Sequence, residues 1–286
     1  MLRGPGGGVH CLASATERRH LLHPLGQIHP STRRWLLGVA LALTAMPRLG
    51  SAAPVLAATP ISRADLKWWR DRHLAKLEEL RSARPNLIFL GDSITQDWER
   101  DGPEPWRRFA PEWRRFYGDR NAVNLGFKGD TTASLLWRIR NGEVDGISPR
   151  VAVILIGANN LGRVHWPADD TVLGIDTIIA ELRRRLPSTR ILLLGVLPSE
   201  RSEWASATTV TINHALEEQY ARDPIVTFLD VGYVFMKNGQ LDRDLYFDPK
   251  LNPPEPTLHP SAQGQALMSA AMEPVLAGLL GDKPHQ

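Results

Sequence analysis

The chain has 286 residues, a length that suits one large domain or two small ones. Six of its 34 Lys and Arg and one of its 31 Asp and Glu lie within residues 1–58, which leaves 28 basic and 30 acidic residues in 59–286 and excludes a basic nucleic-acid-binding face as the source of the charge. Cys11 is the single cysteine, so residues 59–286 offer neither a disulfide nor a cysteine metal cluster.

Residues 1–58 read as an export leader. Arg33 and Arg34 precede an apolar run from Trp35 to Met46, and small residues at Ser51–Ala53 and Val55–Ala57 suit cleavage. The run is shorter than the roughly 20 residues that span a bilayer. Thr32-Arg33-Arg34-Trp35-Leu36-Leu37 resembles a twin-arginine signal, and Arg48 after the apolar core fits that route. An exported protein, periplasmic or secreted, is therefore expected. No second long apolar run follows, so stable membrane insertion of residues 59–286 is not expected.

A helix is expected from Ile61 to about Ala83, where Leu66, Trp69, Leu74, Leu77 and Leu80 recur near helical spacing. Leu87–Leu90 is a continuous apolar run with the character of a buried parallel strand, and it runs into Gly91-Asp92-Ser93. Trp106–Phe116 suggests a surface helix with a lid or wall near a site. Asn121–Gly126 forms a second strand, and Asp130 has the character of an N-cap for a helix through Leu135, Leu136 and Ile139. Val151–Ile156, Ile191–Val196 and Val226–Asp230 are three further strands, separated by helices over 172–186 and 208–220. A Pro-rich loop over 238–260 leads to a final helix over 262–280. Strands alternating with helices predict an α/β fold: one parallel five-stranded sheet in a single α/β/α domain over 59–286.

In open α/β sheets ligands bind at the carboxyl ends of the strands. Ser93, Gly129 and Asn159 follow strands one, two and three, and His259 precedes the last helix. A serine hydroxyl needs a base to become a nucleophile, and a neutral histidine can take its proton and return it to a leaving alcohol. Backbone N–H groups of Ser93 and Gly129 and the amide of Asn159 would supply three donors to a tetrahedral oxyanion. These types together suit acyl transfer. No cofactor or metal is expected, since His-x-Glu and His-Glu-x-x-His spacings are missing.

Gly91-Asp92-Ser93, Asn124 to Thr132, Gly157-Ala158-Asn159-Asn160 and His259-Pro260 resemble the four blocks of the GDSL, or SGNH, hydrolase superfamily. The subgroup most similar is that of the platelet-activating-factor acetylhydrolase catalytic subunits, through Gly129–Thr132, Leu136–Ile139 and Asn141-Gly142-Glu143. The resemblance spans about residues 84–280. It implies a flavodoxin-like SGNH hydrolase fold, with Ser93 as nucleophile, Gly129 and Asn159 as oxyanion donors and His259 as base. It permits a homodimer.

One position departs from the family. The Asp usually found three residues before the catalytic His is Pro256 here, and proline has no side-chain acceptor. Glu255 is one residue early and reaches if the loop bends, a backbone carbonyl would leave a dyad, and Asp248 would have to fold back across the loop. Glu255 is the first expectation and Asp248 the last. Asp92 is expected to support its loop rather than act as the catalytic acid.

The expected activity is removal of short acyl groups, acetyl foremost, from a small-molecule or polysaccharide ester. Trp98, Trp106, Trp113, Trp166 and Trp204 are candidates for a sugar-stacking platform, although packing or plain exposure explains most tryptophans. Two other functions fit the same residues. One is an O-acetyltransferase acting on cell-envelope sugars. The other is a carbohydrate-binding relic whose site has decayed at Pro256.

Overall fold

The computed structural model describes residues 53–285, so the leader signal up to residue 52 lies outside the described residues. Strands β1 (Leu87–Gly91), β2 (Ala122–Gly126), β3 (Val151–Leu155), β4 (Arg190–Leu194) and β5 (Val226–Leu229) form one parallel sheet in the order β2-β1-β3-β4-β5. That is the flavodoxin-like order, with the switch point between β1 and β3. Gly91 pairs with Gly126 on one side and Leu155 on the other. The three strands therefore end level, and the turns that leave them meet at one edge.

Helices α1 (Lys67–Ala83), α2 (Ser93–Gln96), α3 (Phe109–Tyr117), α4 (Thr132–Arg138), α5 (Ala158–Gly162), α6 (Ala168–Arg185), α7 (Glu203–Tyr220) and α8 (Ala262–Leu280) complete the fold. Alternate strand residues point to opposite faces. Ile88, Leu90, Ile154 and Leu193 pack with α4, α6 and α7. Leu87, Phe89, Val153 and Leu192 pack with α3 and α8. Both faces are covered, which is why the strands are apolar throughout and not alternating. A small antiparallel pair, β6 (Met236–Lys237) and β7 (Gln240–Leu241), begins the long return from β5 to α8.

Several expectations change in detail. The first helix begins at Lys67 and not at Ile61. Trp106–Phe116 is neither lid nor wall. Phe109, Phe116 and Tyr117 of α3 are buried, and Trp113 packs edge-on against Phe89 at 5.0 Å, because this apolar face is needed to cover the sheet beside α8. Asp130 does not cap α4, whose N-cap is Thr131. Its buried carboxylate instead accepts from Trp69 Nε1 and Arg63 at 2.7 Å and from Arg138 Nε at 2.8 Å. Leu56–Ala58 forms a short 3₁₀ turn with Ala57 fully buried, and Thr132 Oγ1 donates to the Ala57 carbonyl at 2.8 Å. Residues just before the expected boundary at 58 thus pack on the domain. Among the described residues no helix is long and apolar enough to cross a membrane.

Candidate active site

The nucleophile turn is built by close approach. Gly91 ends β1 where a Cβ would lie 2.2 Å from Thr95 Oγ1 and 2.5 Å from the Leu155 carbonyl, so no larger residue fits. Asp92 then caps α2, accepting from Ile94 N at 3.0 Å. Ser93 is the first residue of that helix, where a backbone N–H has no partner inside the helix. Asn124 Nδ2 donates to the Thr95 carbonyl at 2.7 Å, and Gln265 Nε2 donates to the Ile94 carbonyl at 2.8 Å. Buried Arg138 reaches the Gly91 carbonyl at 3.2 Å while paired with Asp130 and Glu143. The serine is 6% exposed, so its hydroxyl is held at the edge of the solvent and not in it.

Ser93 Oγ and His259 Nε2 are 3.0 Å apart, and His259 Nδ1 lies 2.5 Å from Asp248 Oδ1. A carboxylate only accepts, so Nδ1 carries the proton toward Asp248 and Nε2 is left to accept from the serine. Asp248 is itself fastened. Its Oδ2 accepts from Leu258 N at 2.8 Å and His259 N at 2.5 Å, and its backbone carbonyl accepts from Glu255 N at 3.0 Å. Phe247 stacks on the imidazole at 5.4 Å and 12°. Orientation of the base thus falls to Asp248, the last of the three expectations. Glu255 is exposed on the cavity wall and joins this arrangement only through its backbone. The physical reason is the turn at Asp248–Lys250, which doubles the chain back so that residues eleven apart in sequence touch.

Burial pulls the His259 pKa down, but the hydrogen bond and charge of Asp248, helped by Asp97 and Asp92, outweigh it and leave it above the usual 6.5. Asp92 is buried and its pKa rises to about 7, mainly by desolvation, with the Ile94 N–H and His259 opposing. It touches neither ring nitrogen of His259 among the bonds of the site, in keeping with a supporting role.

Asn159 lies in α5, and its Nδ2 donates to the Asp130 carbonyl at 3.1 Å and to Asp92 Oδ2 at 3.3 Å. The first bond aims the amide. The second is long, and an oxyanion beside Ser93 would offer the same amide a shorter, charge-assisted bond. Gly129 has φ +77°, and a Cβ there would lie 2.3 Å from Arg163 Nη1. Only glycine keeps backbone alone on that wall. Ser93, Gly129, Asn159 and His259 all line one cavity of about 380 Å³, with Asp248 behind the histidine. The four residues expected from sequence are therefore brought together.

Comparison with known proteins agrees with this geometry. The sequence model of the GDSL-like lipase/acylhydrolase family matches residues 89–267. The chain belongs to that family. It is 26% identical over 235 residues to the chicken (Gallus gallus) platelet-activating factor acetylhydrolase IB subunit alpha2, covering 80% of this chain and 94% of that one. It is 27% identical over 221 residues to the human (Homo sapiens) alpha1 subunit, covering 76% and 87%. The fold is similar to a GDSL-like lipase from Bacteroides thetaiotaomicron, with TM-score 0.56, 19% identity and coverage of 75% and 98%. It is similar also to a carbohydrate acetylesterase family member from Sinorhizobium meliloti, with TM-score 0.52, 18% identity and coverage of 68% and 98%.

This member of the family is a carboxylic ester hydrolase, and each step has a residue in place. Ser93 Oγ is placed for attack on an ester carbonyl carbon, with His259 Nε2 3.0 Å away to take its proton. An oxyanion formed there would have the Ser93 and Gly129 N–H groups and the Asn159 amide on the same cavity wall, donors worth roughly 3 kcal/mol each in such sites. On this arrangement collapse would break the bond to the alcohol, which would leave with the proton from His259, and water would repeat the sequence to free the acid. The relic expectation loses its basis, because it rested on Pro256 and Asp248 supplies the missing acceptor.

Proposed function

We propose that this protein is an exported serine esterase that removes short acyl groups, acetyl foremost, from an acylated carbohydrate. The observation that carries the acyl length is the cavity wall beside Ser93. Apart from Pro256 and Leu258 its side chains are polar or charged, so a long acyl chain would find no apolar channel to bury its methylenes. The names of the vertebrate relatives, acetylhydrolases, support the same length.

A carbohydrate alcohol is supported by the rim. His165 lines the cavity, and the exposed Trp204 lies with its ring 5.6 Å from His165. The other four candidate tryptophans are spent or lie elsewhere: Trp98 is buried, Trp113 packs on the core, Trp106 faces Arg100, and Trp166, unlike Trp204, makes no ring contact with any described lining residue. Export is supported by the leader pattern of residues 33–57.

Hydrolysis of 4-nitrophenyl acetate, butyrate and octanoate tests the acyl length. Turnover should fall steadily from acetate to octanoate. An octanoate preference would contradict the proposal. Release of acetate from an acetylated polysaccharide, with no release on adding an acceptor sugar beyond that seen in water, separates hydrolysis from transfer.

A further inference from the structure

The cavity carries a charge that the serine relay does not use. Lys128, Arg163 and Arg201 line it, whereas Asp248 is committed to His259 and Glu255 is the one further carboxylate on the wall. The Arg163 side chain makes no hydrogen bond or ion pair with any described residue. Its guanidinium nevertheless lies over the site, close enough that a Cβ on Gly129 would collide with it. Arg201 is half-buried and donates only to carbonyls, those of Ala158 at 3.3 Å and Gly162 at 3.0 Å.

Guanidiniums of this domain that are buried at least as far as that of Arg201 are treated differently. Arg63, Arg72, Arg120 and Arg138 each meet a carboxylate within 2.9 Å. Charge taken out of water normally acquires such a partner, because an unpaired one is costly; half-buried Arg201 has none, and Arg163 beside it is exposed. Burial lowers the Arg201 pKa and neighbouring Arg163 lowers it further, against partial support from Asp92 and Asp248. The two cations therefore oppose each other at the same wall.

We propose that Arg163 and Arg201 bind an anionic group, carboxylate or phosphate, carried by the alcohol part of the substrate next to its ester. Two planar guanidinium forks match the oxygens of either anion. An anion between them would relieve their mutual repulsion and give half-buried Arg201 the counter-charge it lacks. Arg163 lies over Gly129, and Arg201 is bonded to the carbonyls of Ala158 and Gly162 in the short helix that carries Asn159, which puts that anion beside the reacting carbonyl. Assignment to the alcohol part rests on the proposed short acyl group, which has no atoms to spare for a charge.

The test compares matched aryl acetates with the full chain at low salt. The esters are 3-acetoxybenzoate, its neutral methyl ester and 3-acetoxyphenyl phosphate, each rate being divided by that for hydroxide. The wild type should favour at least one anionic ester by about tenfold in kcat/KM, mostly through KM, the value of one charge-assisted hydrogen-bond pair. The preferred anion identifies the group. Arg163→Gln should remove most of that preference, and Arg163→Lys should keep part of it. Ratios are taken within each variant, so damage common to all esters cancels. A wild-type ratio near one would overturn the proposal. So would an Arg163→Gln enzyme slowed equally on all three esters, which would make the arginine a general support of the oxyanion site. Failure to cleave any of the three would instead bring down the short-acyl esterase reading, and this inference with it.

Discussion

Ser93, Gly129 and Asn159 stand two to four residues beyond the ends of β1, β2 and β3, whereas His259 and Asp248 are carried by residues 230–261 between β5 and α8. On the strand side, positions follow from the sheet. Level strand ends, a glycine with no room for a side chain and a buried Arg138–Asp130 pair leave the turns little freedom. On the return-loop side, positions follow from hydrogen bonds that the loop makes to itself. One carboxylate, Asp248, gathers two backbone N–H groups and the imidazole. Glu200 adds a clasp, accepting from Thr257 Oγ1 at 2.8 Å while paired with Arg243 at 2.7 Å. The base is thus no less determined than the nucleophile, but its determinants are mostly polar and gathered in the return loop, with Glu200 as an anchor outside it.

Substitutions on the two sides should differ in kind. The largest effect belongs to the nucleophile. Ser93→Ala should lower kcat on 4-nitrophenyl acetate by about 10⁵–10⁶, with an unchanged melting temperature by differential scanning fluorimetry. On the loop side, Asp248→Asn should cost up to about 10⁴ in kcat by favouring the wrong imidazole tautomer. Glu255→Gln should stay within about threefold in the same steady-state assay, since its carboxylate touches no part of the relay. Asn159→Ala removes one oxyanion donor and should cost about 10²–10³ in kcat with little change in KM. Gly129→Ala should be felt chiefly as stability. Its φ of +77° costs an L-residue about 1–2 kcal/mol, read by urea unfolding, and the added methyl displaces Arg163 as well.

The same contrast explains what the sequence reveals and what it hides. A buried parallel strand advertises itself as an unbroken apolar run, and a functional residue just past its end is found by counting. That is how Ser93, Gly129 and Asn159 come to light, along with the five-stranded order of elements. Asp248 leaves no such trace. It is eleven residues from His259 in a stretch without periodicity, and its contact depends on a 3₁₀ turn and on where the Glu255 N–H goes. Spacing therefore favours nearby Glu255 over the residue that is used. Asp130 misleads in the opposite way: its position before a helix suggests a cap, and only tertiary structure brings Arg63, Trp69 and Arg138 to it. The Trp-rich segment from Trp106 follows the same lesson, because one apolar helix face serves a core as readily as a lid.

The pH dependence of kcat/KM for 4-nitrophenyl acetate, in the wild type and in Asp248→Asn, tests the relay most directly. His259 must be neutral at Nε2 to accept the serine proton, so activity rises with pH through its pKa in the free enzyme. Asp248 holds that pKa above 6.5, and the wild-type acid limb should lie there. Burial pushes the Asp92 carboxyl up to about 7, so the shift between the two enzymes, rather than the limb alone, identifies the group. Removing the Asp248 charge leaves burial as the dominant influence, and the limb of the residual activity should move to lower pH. A limb that stays in place in Asp248→Asn, with activity close to wild type, would contradict the triad and return the orienting role to another group.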